Sequence, residues 1–559
     1  MAHITPDTPA ETPADSSSDG SPESTTERRV EALEVEVKLA VDEHTGVPDL
    51  TQLTGVSSIL NTTEHNLSAI YYDTADLRLT REKITLRRRT GGSDDGWHMK
   101  LPAGRGRKEV RMPISDPAQV PDELLAPVRA IVRFEALEPI AQVDNRRVES
   151  TLANEAGQAI AEFCDDHVTA WSLLPGGERT SWREWEVELD ESLAGTDEGE
   201  NLIRQATSFL IASGARKSAS PSKLATALGD TVNNAPLPPH LLSEQVDANS
   251  PAAAVVTALR AQRDAIIAWE PRVRADEFDS VHQLRVATRE MRSLLETFEG
   301  ILDGDVLEPL EKELKETAAV LGLARDAEVV EERFVELLDT DDTGLIDTNA
   351  ATHVEHDMRA DYETAHAEIV SMLDSERFLD MLDDIDLLLA NPPVAVGEGD
   401  SDEDADQSST DAAGTDSRDI LLEHLTGAFK KVNKRNKLVS EHYHDPELPL
   451  HEREEYVHDV RKAVKKLRYA TAAADAAGIK TGRLAKAAKN LQTVLGDFQD
   501  AVTSRDRILR LAEQARERGE DTLSYGILYQ RELTRGEQAL SGYDQAMREL
   551  KKAFKKIKG

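Results

Sequence analysis

One cysteine, Cys164, stands in 559 residues, which excludes an intramolecular disulfide framework and fits a reducing compartment. A lone cysteine is more often a small buried apolar residue than a reactive thiol. Aromatic residues are also few, 4% against 39% apolar residues in all, so an all-β sandwich is disfavoured and much helix is expected. Long hydrophobic runs are missing. None reaches the roughly 18 apolar residues of a membrane-spanning helix, and residues 1–28 lack the basic start and apolar stretch of a secretory signal. The expectation is a soluble, cytoplasmic protein. A glycine-rich phosphate loop ahead of a Lys-Ser/Thr pair is absent as well. Basic residues are outnumbered, 66 to 105, for a net charge of −39. Spread evenly, that excess would exclude nucleic acid and anionic membrane as the main partner.

A single core usually stops growing near about 250 to 300 residues, so this length implies at least two domains. Residues 1–28 are rich in Ser, Thr, Pro, Asp and Glu without apolar periodicity and read as a disordered tail. Residues 397–417 carry eight acidic residues and no basic one, the composition of a loop inserted in a helical region. Residues 230–249, rich in Pro, Asn and polar side chains, read as a linker. It separates residues 29–229, with short alternating strands, from residues 250–559, with long 3.6-periodic runs of Ala, Leu, Glu, Lys and Arg.

In Glu34-Val35-Glu36-Val37-Lys38 the charges fall on every second residue, so on a strand they share one face and the valines the other. A solvated sheet face is the ordinary reading of one such strand. Here the pattern recurs: Glu186 and Glu188 alternate with Val187 and Leu189, Arg87 and Arg89 mark a third strand, and Lys100, Arg107, Glu109, Arg111, Arg146 and Arg147 fall on others. With these faces turned inward, a barrel would enclose carboxylates beside Arg and Lys. Carboxylates suit hard divalent cations, and guanidinium and ammonium groups suit phosphate oxygens.

These residues resemble the CYTH family of triphosphate tunnel metalloenzymes. The resemblance starts at Glu34, Glu36 and Lys38. It runs in order through Tyr71-Tyr72-Asp73-Thr74, Leu86-Arg87-Arg88-Arg89, Trp97-His98-Met99-Lys100, Arg107-Lys108-Glu109-Val110-Arg111, Cys164-Asp165-Asp166, Glu186-Val187-Glu188 and Ser222-Lys223-Leu224. It implies an eight-stranded antiparallel tunnel with a triphosphate along its axis. Glu34, Glu36 and Lys38 would be catalytic. Glu34, Glu36, Glu186, Glu188 and one of Asp165 and Asp166 would hold Mg²⁺ or Mn²⁺. Lys38, Arg87, Arg89, Lys100, Arg111, Lys223 and one of Arg146 and Arg147 would grip the phosphates. A one-residue register decides within each of those two pairs. The activity implied is hydrolysis of tripolyphosphate. Thiamine triphosphatase and adenylyl cyclase activities belong to the same family, and a non-catalytic polyphosphate-binding or scaffold protein is the rival reading.

The second half repeats itself. His282, Arg285, Arg289 and Arg292 return as His458, Arg461, Lys465 and Arg468 at an offset of 176, and Leu321-Gly322 with Asp326 returns as Leu495-Gly496 with Asp500 at 174. Positions i, i+3, i+7 and i+10 of a helix lie within an arc of roughly 80°, so each copy offers one basic stripe. A solvated face is the usual reading of a single stripe, but two equivalent stripes can form one groove. The histidines His442, His444, His451 and His458 match no zinc spacing, and the repeat already accounts for His458. This half resembles the CHAD domain, which implies recognition of inorganic polyphosphate by the two stripes without catalysis.

The expected fold is thus α+β, an antiparallel β tunnel followed by an all-α duplicated helical bundle. Sorted by segment, the tail contributes −5 and residues 397–417 contribute −8 of the −39. The Arg and Lys clusters stand against that acidic exterior, and the expected partner is an anion.

Overall fold

The computed structural model describes residues 30–558 except 104–105, 115, 117–118, 243–245, 247–249, 341–343, 395–409 and 477. The tail 1–28 and most of the acidic insert lie outside the described residues. The end of that insert departs from the expected loop, because residues 410–417 are already helical.

The N-terminal half is one antiparallel ten-stranded sheet. In chain order the strands are β1 (Val30–Glu34), β2 (Glu36–Val41), β3 (Ser58–Asp73), β4 (Thr85–Thr90), β5 (Gly96–Ala103), β6 (Gly106–Met112), β7 (Glu138–Ala153), β8 (Ala159–Ser172), β9 (Arg179–Leu189) and β10 (Arg216–Lys217). Their order across the sheet is β1-β6-β5-β4-β3-β7-β8-β9-β2-β10. Only Val35 separates β1 from β2, so one segment pairs with β6 through its first half and with β9 through its second. Both ends of the sheet therefore meet in the segment that carries Glu34 and Glu36. Counting β1 and β2 as one and setting aside the two-residue β10, the eight expected strands are present.

Alternation sends apolar side chains to the outer face, where short helices cover them. Trp185, Phe163 and Leu39 pack under α4 (Asp197–Ala212) with its Leu202, Ala206 and Leu210. Trp97, Met99, Leu86 and Val110 form a second cluster beside α1 (Arg78–Arg81), α2 (Asp122–Leu125) and α3 (Arg129–Val132). On the inner face, at the end of the lumen, Val143, Ala141 and Tyr71 form a third cluster with Leu224, Ala227 and Leu228 of α5 (Lys223–Leu228). Ser222 caps α5, its hydroxyl accepting from the Ala225 N–H at 3.1 Å. That cap sets Lys223 at the first helical position.

The second half is helical: α6 (Pro251–Arg274), α7 (Ser280–Thr297), α8 (Leu307–Asp339), α9 (Thr348–Leu373) and α10 (Glu376–Ala390), then α11 (Thr410–His442), α12 (Leu450–Ala476), α13 (Gly482–Glu517), α14 (Leu523–Leu540) and α15 (Tyr543–Lys558). The repeated sequences fall on α7 and α12, which pack together, and on α8 and α13, which also touch. One large apolar core runs through both copies. No helix of the described residues is long and apolar enough to cross a membrane.

The two halves are joined by buried charge. Arg133, just after α3, donates to Asp383 and Asp386 of α10, both at 2.6 Å, and Arg263 of α6 donates to Asp386 at 2.8 Å. Ala130 of α3 belongs to the helical core itself. Arg133→Ala leaves Asp386 its second arginine, so the expected loss is about 1–3 kcal/mol of unfolding free energy. Arg133→Lys recovers little, since one ammonium replaces a two-pronged contact. Chemical denaturation of the two variants checks both points.

Candidate functional site

Register decides which side chains share the inner face. The opposed pairs Glu36 and Glu188, Lys38 and Glu186, Lys100 and Glu109, Tyr71 and Arg87, and Arg147 and Asp166 all lie on it. All of them except Asp166 line one polar cavity of about 220 Å³. Arg89, Arg107 and Arg111 face the same space, and α5 brings Lys223 to it.

The carboxylates divide into two groups. Asp166, Glu184 and Glu186 surround Lys223, whose Nζ lies 2.8, 2.6 and 2.7 Å from them. Arg147 adds a two-pronged contact to Asp166, both arms at 2.8 Å, and a bond to Glu186 at 2.5 Å. Burial opposes ionisation of Glu186, but Lys223, Lys38 and Arg147 hold its carboxyl far below the ordinary range. This group already has its cations.

Glu34, Glu36 and Glu188 form the other group, with carboxylate oxygens within 4.8 Å of one another. Lys100 bonds Glu34, and Lys38 bonds Glu36 at 2.5 Å and Glu186 on its far side. Glu188 has no ion-pair partner among the described residues, and Glu34 Oε2 is buried without a hydrogen bond. Burial, then Glu34, with Glu36 and Glu109 adding to it, pushes Glu188 up to about 7 against the pull of Lys100. Three converging hard oxygen donors, with a lysine on each of Glu34 and Glu36 and none on Glu188, fit a divalent cation.

Opposite these acids stand Arg87, Arg89 and Arg111, with Asp94 bonded to Arg89 and 3.8 Å from Arg111. Burial, then Arg87 and Arg147, brings Arg89 down to about 9. Arg87 Nε and Arg89 Nε are buried without hydrogen-bond partners. Glu109 serves this wall as an internal anion, facing His98 at 3.2 Å, Arg111 at 2.7 Å and Arg87 at 3.6 Å.

Two expected residues are corrected by strand parity. Arg146 lies on the outer face, 45% exposed and 3.4 Å from Glu64, so Arg147 is the inward member of its pair. Asp165 also points away from the lumen. Arg183 holds both of its oxygens at 2.7 and 2.8 Å, and Trp185 Nε1 donates at 3.2 Å. The sequence reading missed Glu184, Glu109 as a counter-ion, and Tyr71 beside Arg87. Glu184 shares the parity of Glu186 and Glu188, so extending that alternation by one step would have found it.

In the helical half both stripes face one groove. His282, Arg285, Arg461 and Lys465 each feel cations of the opposite stripe. Burial, then Arg461, Arg289 and Arg285, pushes Lys465 down to about 6, and burial with Arg461 and Arg325 lowers Arg285 despite Asp326. Burial also lowers Arg289, Arg461, His282 and His458. Arg285 Nε and Arg461 Nη1 are buried without hydrogen-bond partners. At the rims Arg292 pairs with Glu296 at 3.4 Å, Arg468 donates to Gln492 at 2.9 Å, and His458 meets Gln499 at 2.6 Å. The repeated glycines make room, since a Cβ at Gly322 would sit 3.3 Å from Arg285 Nη2. Arg325 joins the groove from α8, where the second copy has Gln499 at the equivalent position. That substitution hid Arg325 from a search for repeated cations.

Residues 32–213 match the family model for the CYTH domain, and residues 257–509 match that for the CHAD domain. The chain belongs to the proteins that join a CYTH domain, the fold of the triphosphate tunnel enzymes, to a CHAD domain. CYTH domains are metal-dependent, and members of that family are triphosphatases or cyclase-like enzymes. The chain is 36% identical over 541 residues to "Uncharacterized protein Rv2226" of Mycobacterium tuberculosis (strain ATCC 25618 / H37Rv), covering 94% of this chain and 98% of that one. Among solved structures it is similar to PptA from Streptomyces chartreusis, at 19% identity and a TM-score of 0.42, over 53% of this chain and 99% of that chain. It is also similar to the CHAD domain from the plant Ricinus communis, at 19% identity and a TM-score of 0.39, over 56% and 96%.

Proposed function

We propose that the tunnel hydrolyses inorganic tripolyphosphate with Mg²⁺ or Mn²⁺, and that the CHAD groove binds inorganic polyphosphate. The observation that carries this reading is the division of one lumen into an acid triad whose Glu188 has no cation and a basic wall whose buried Arg87 and Arg89 Nε atoms have no acceptor. A cation and a polyanion together neutralise both.

Glu34, Glu36 and Glu188 would hold the ion, which supplies Lewis acidity to a phosphoryl oxygen and lowers the pKa of a bound water. Lys38 ties Glu36 to Glu186 and so keeps the acid triad in place. Arg87, Arg89, Arg111 and Lys100 bind the phosphate chain and neutralise charge that gathers on the leaving oxygen as the anhydride bond lengthens. Arg147 and Lys223, held by Asp166, Glu184 and Glu186, would add fixed positive charge beside the chain. A panel of tripolyphosphate, thiamine triphosphate, ATP and long polyphosphate tests the substrate. Tripolyphosphate should show the highest kcat/KM; preference for an organic triphosphate would overturn that choice.

The groove has a pH signature. Lys465 has a folded-state pKa near 6, below that of an unfolded lysine. Between those values the unfolded chain binds more protons, so the empty protein gains stability as pH rises. A bound polyanion favours the protonated amine, so binding takes up a proton and weakens as pH rises above about 6. Calorimetry in two buffers of different ionisation enthalpy reads that uptake directly, and Lys465→Met should remove it.

A further inference from the structure

The groove is not where the cationic surface ends. Beyond the Arg468–Gln492 contact, α13 carries Lys489, Lys486 and Arg483 at successive three-residue steps before Gln492. Each step moves about 4.5 Å along the helix and turns the side chain by about 60°. The row therefore winds around α13 from the groove side toward α15. There Arg483 and Lys486 meet Lys552 and Lys556 of α15 around a second cavity of about 220 Å³, with Asn490 and Glu549 completing its wall.

Arg483, Lys486, Lys489, Lys552 and Lys556 are all exposed, and none has an ion-pair partner among the described residues. Other exposed lysines are of both kinds: Lys437, Lys462 and Lys466 pair with Glu441, Asp459 and Glu296, whereas Lys312, Lys315 and Lys480 have no ion-pair partner among the described residues. What sets the α13–α15 group apart is its convergence on one cavity. The acid in the cavity wall, Glu549, is approached by the Gln545 amide at 3.3 Å. Lys552 and Lys556 stand one turn apart on α15, a like-charge spacing that disfavours the helix. In a chain with an acidic excess of 39, so many uncompensated cations on one face mark a polyanion surface.

We propose that a polyphosphate chain held in the groove leaves it past Gln492, crosses Lys489, and continues into the α13–α15 cavity. Continuity with the groove selects this ligand over a separate nucleic-acid site. The inference rests on the reading of the groove as a polyphosphate site. It adds a footprint longer than the stripes, so that chain length is sensed by a second set of contacts.

The test uses the full chain and two probes. One polyphosphate has a contour of roughly 15 Å, the length of the His458–Arg468 stripe on its helix; the other is several times longer. The wild type should bind the long probe more tightly and with the steeper salt dependence. The variant combining Arg483→Ala, Lys486→Ala, Lys552→Ala and Lys556→Ala should bind the long probe about tenfold more weakly, with a salt slope reduced by about 2 to 4. Its affinity for the short probe should be unchanged. Unchanged long-probe binding overturns the extension, as does equal loss of both probes. Loss of a single-stranded oligonucleotide without loss of long polyphosphate would assign the patch to nucleic acid and overturn it too. If the wild type binds neither probe, the groove reading itself fails.

Discussion

Replacing Glu36 by glutamine should lower phosphate release from tripolyphosphate about a thousandfold. The substitution keeps the shape of the side chain and removes one of the three charges of the triad. A metal-stabilised charge worth about 4 kcal/mol in the transition state accounts for that factor. The fold should survive, because Lys38 keeps its bond to Glu186 and is not left as an unpaired buried cation. Circular dichroism and retention on polyphosphate should match the wild type while the rate collapses. Glu188→Gln should behave alike and also abolish stabilisation by added Mg²⁺, since Glu188 has no protein cation to lose. A wild-type rate in either variant would remove the triad from the mechanism.

Arg285→Ala combined with Arg461→Ala should have the second large effect. Each arginine offers an unpartnered buried N–H to the groove, and charge-assisted bonds contribute about 1.5–3 kcal/mol each. Polyphosphate affinity should fall at least about a hundredfold. The thermal midpoint of the empty protein should rise, the reverse of what removing buried side chains normally does. Burial and neighbouring cations press on Lys465 and the remaining stripe residues, so removing two of those cations relieves the cost. Hydrolysis of tripolyphosphate should be unaffected. A variant that loses hydrolysis together with retention would contradict two separable sites.

Much of this was legible in the sequence because period-two alternation survives intact where a strand has one wet and one dry face. Glu34, Glu36 and Lys38 show it, as do Glu186 and Glu188. Where two like residues are adjacent, as in Arg146-Arg147 and Asp165-Asp166, alternation gives no answer, and only pairing with β7 and β8 neighbours chose the inner member. Asp165 illustrates the trap: it is buried and charged, but its counter-ion Arg183 lies on the outer face. The first half of β3 was missed because residues 59–62, Ile-Leu-Asn-Thr, are all exposed and show no apolar-polar alternation. The helical repeat was read from cations alone, so it found the stripes but not Arg325, whose equivalent is the neutral Gln499.

The central claim is that the lumen acids recruit a divalent cation to cleave a phosphoric anhydride. Initial rates of phosphate release from tripolyphosphate by the full chain, across a titration of Mg²⁺ and Mn²⁺ and with chelator, address it most directly. The account predicts saturable metal dependence and no release in chelator. Release that persists in chelator, or none at any metal concentration, would contradict it.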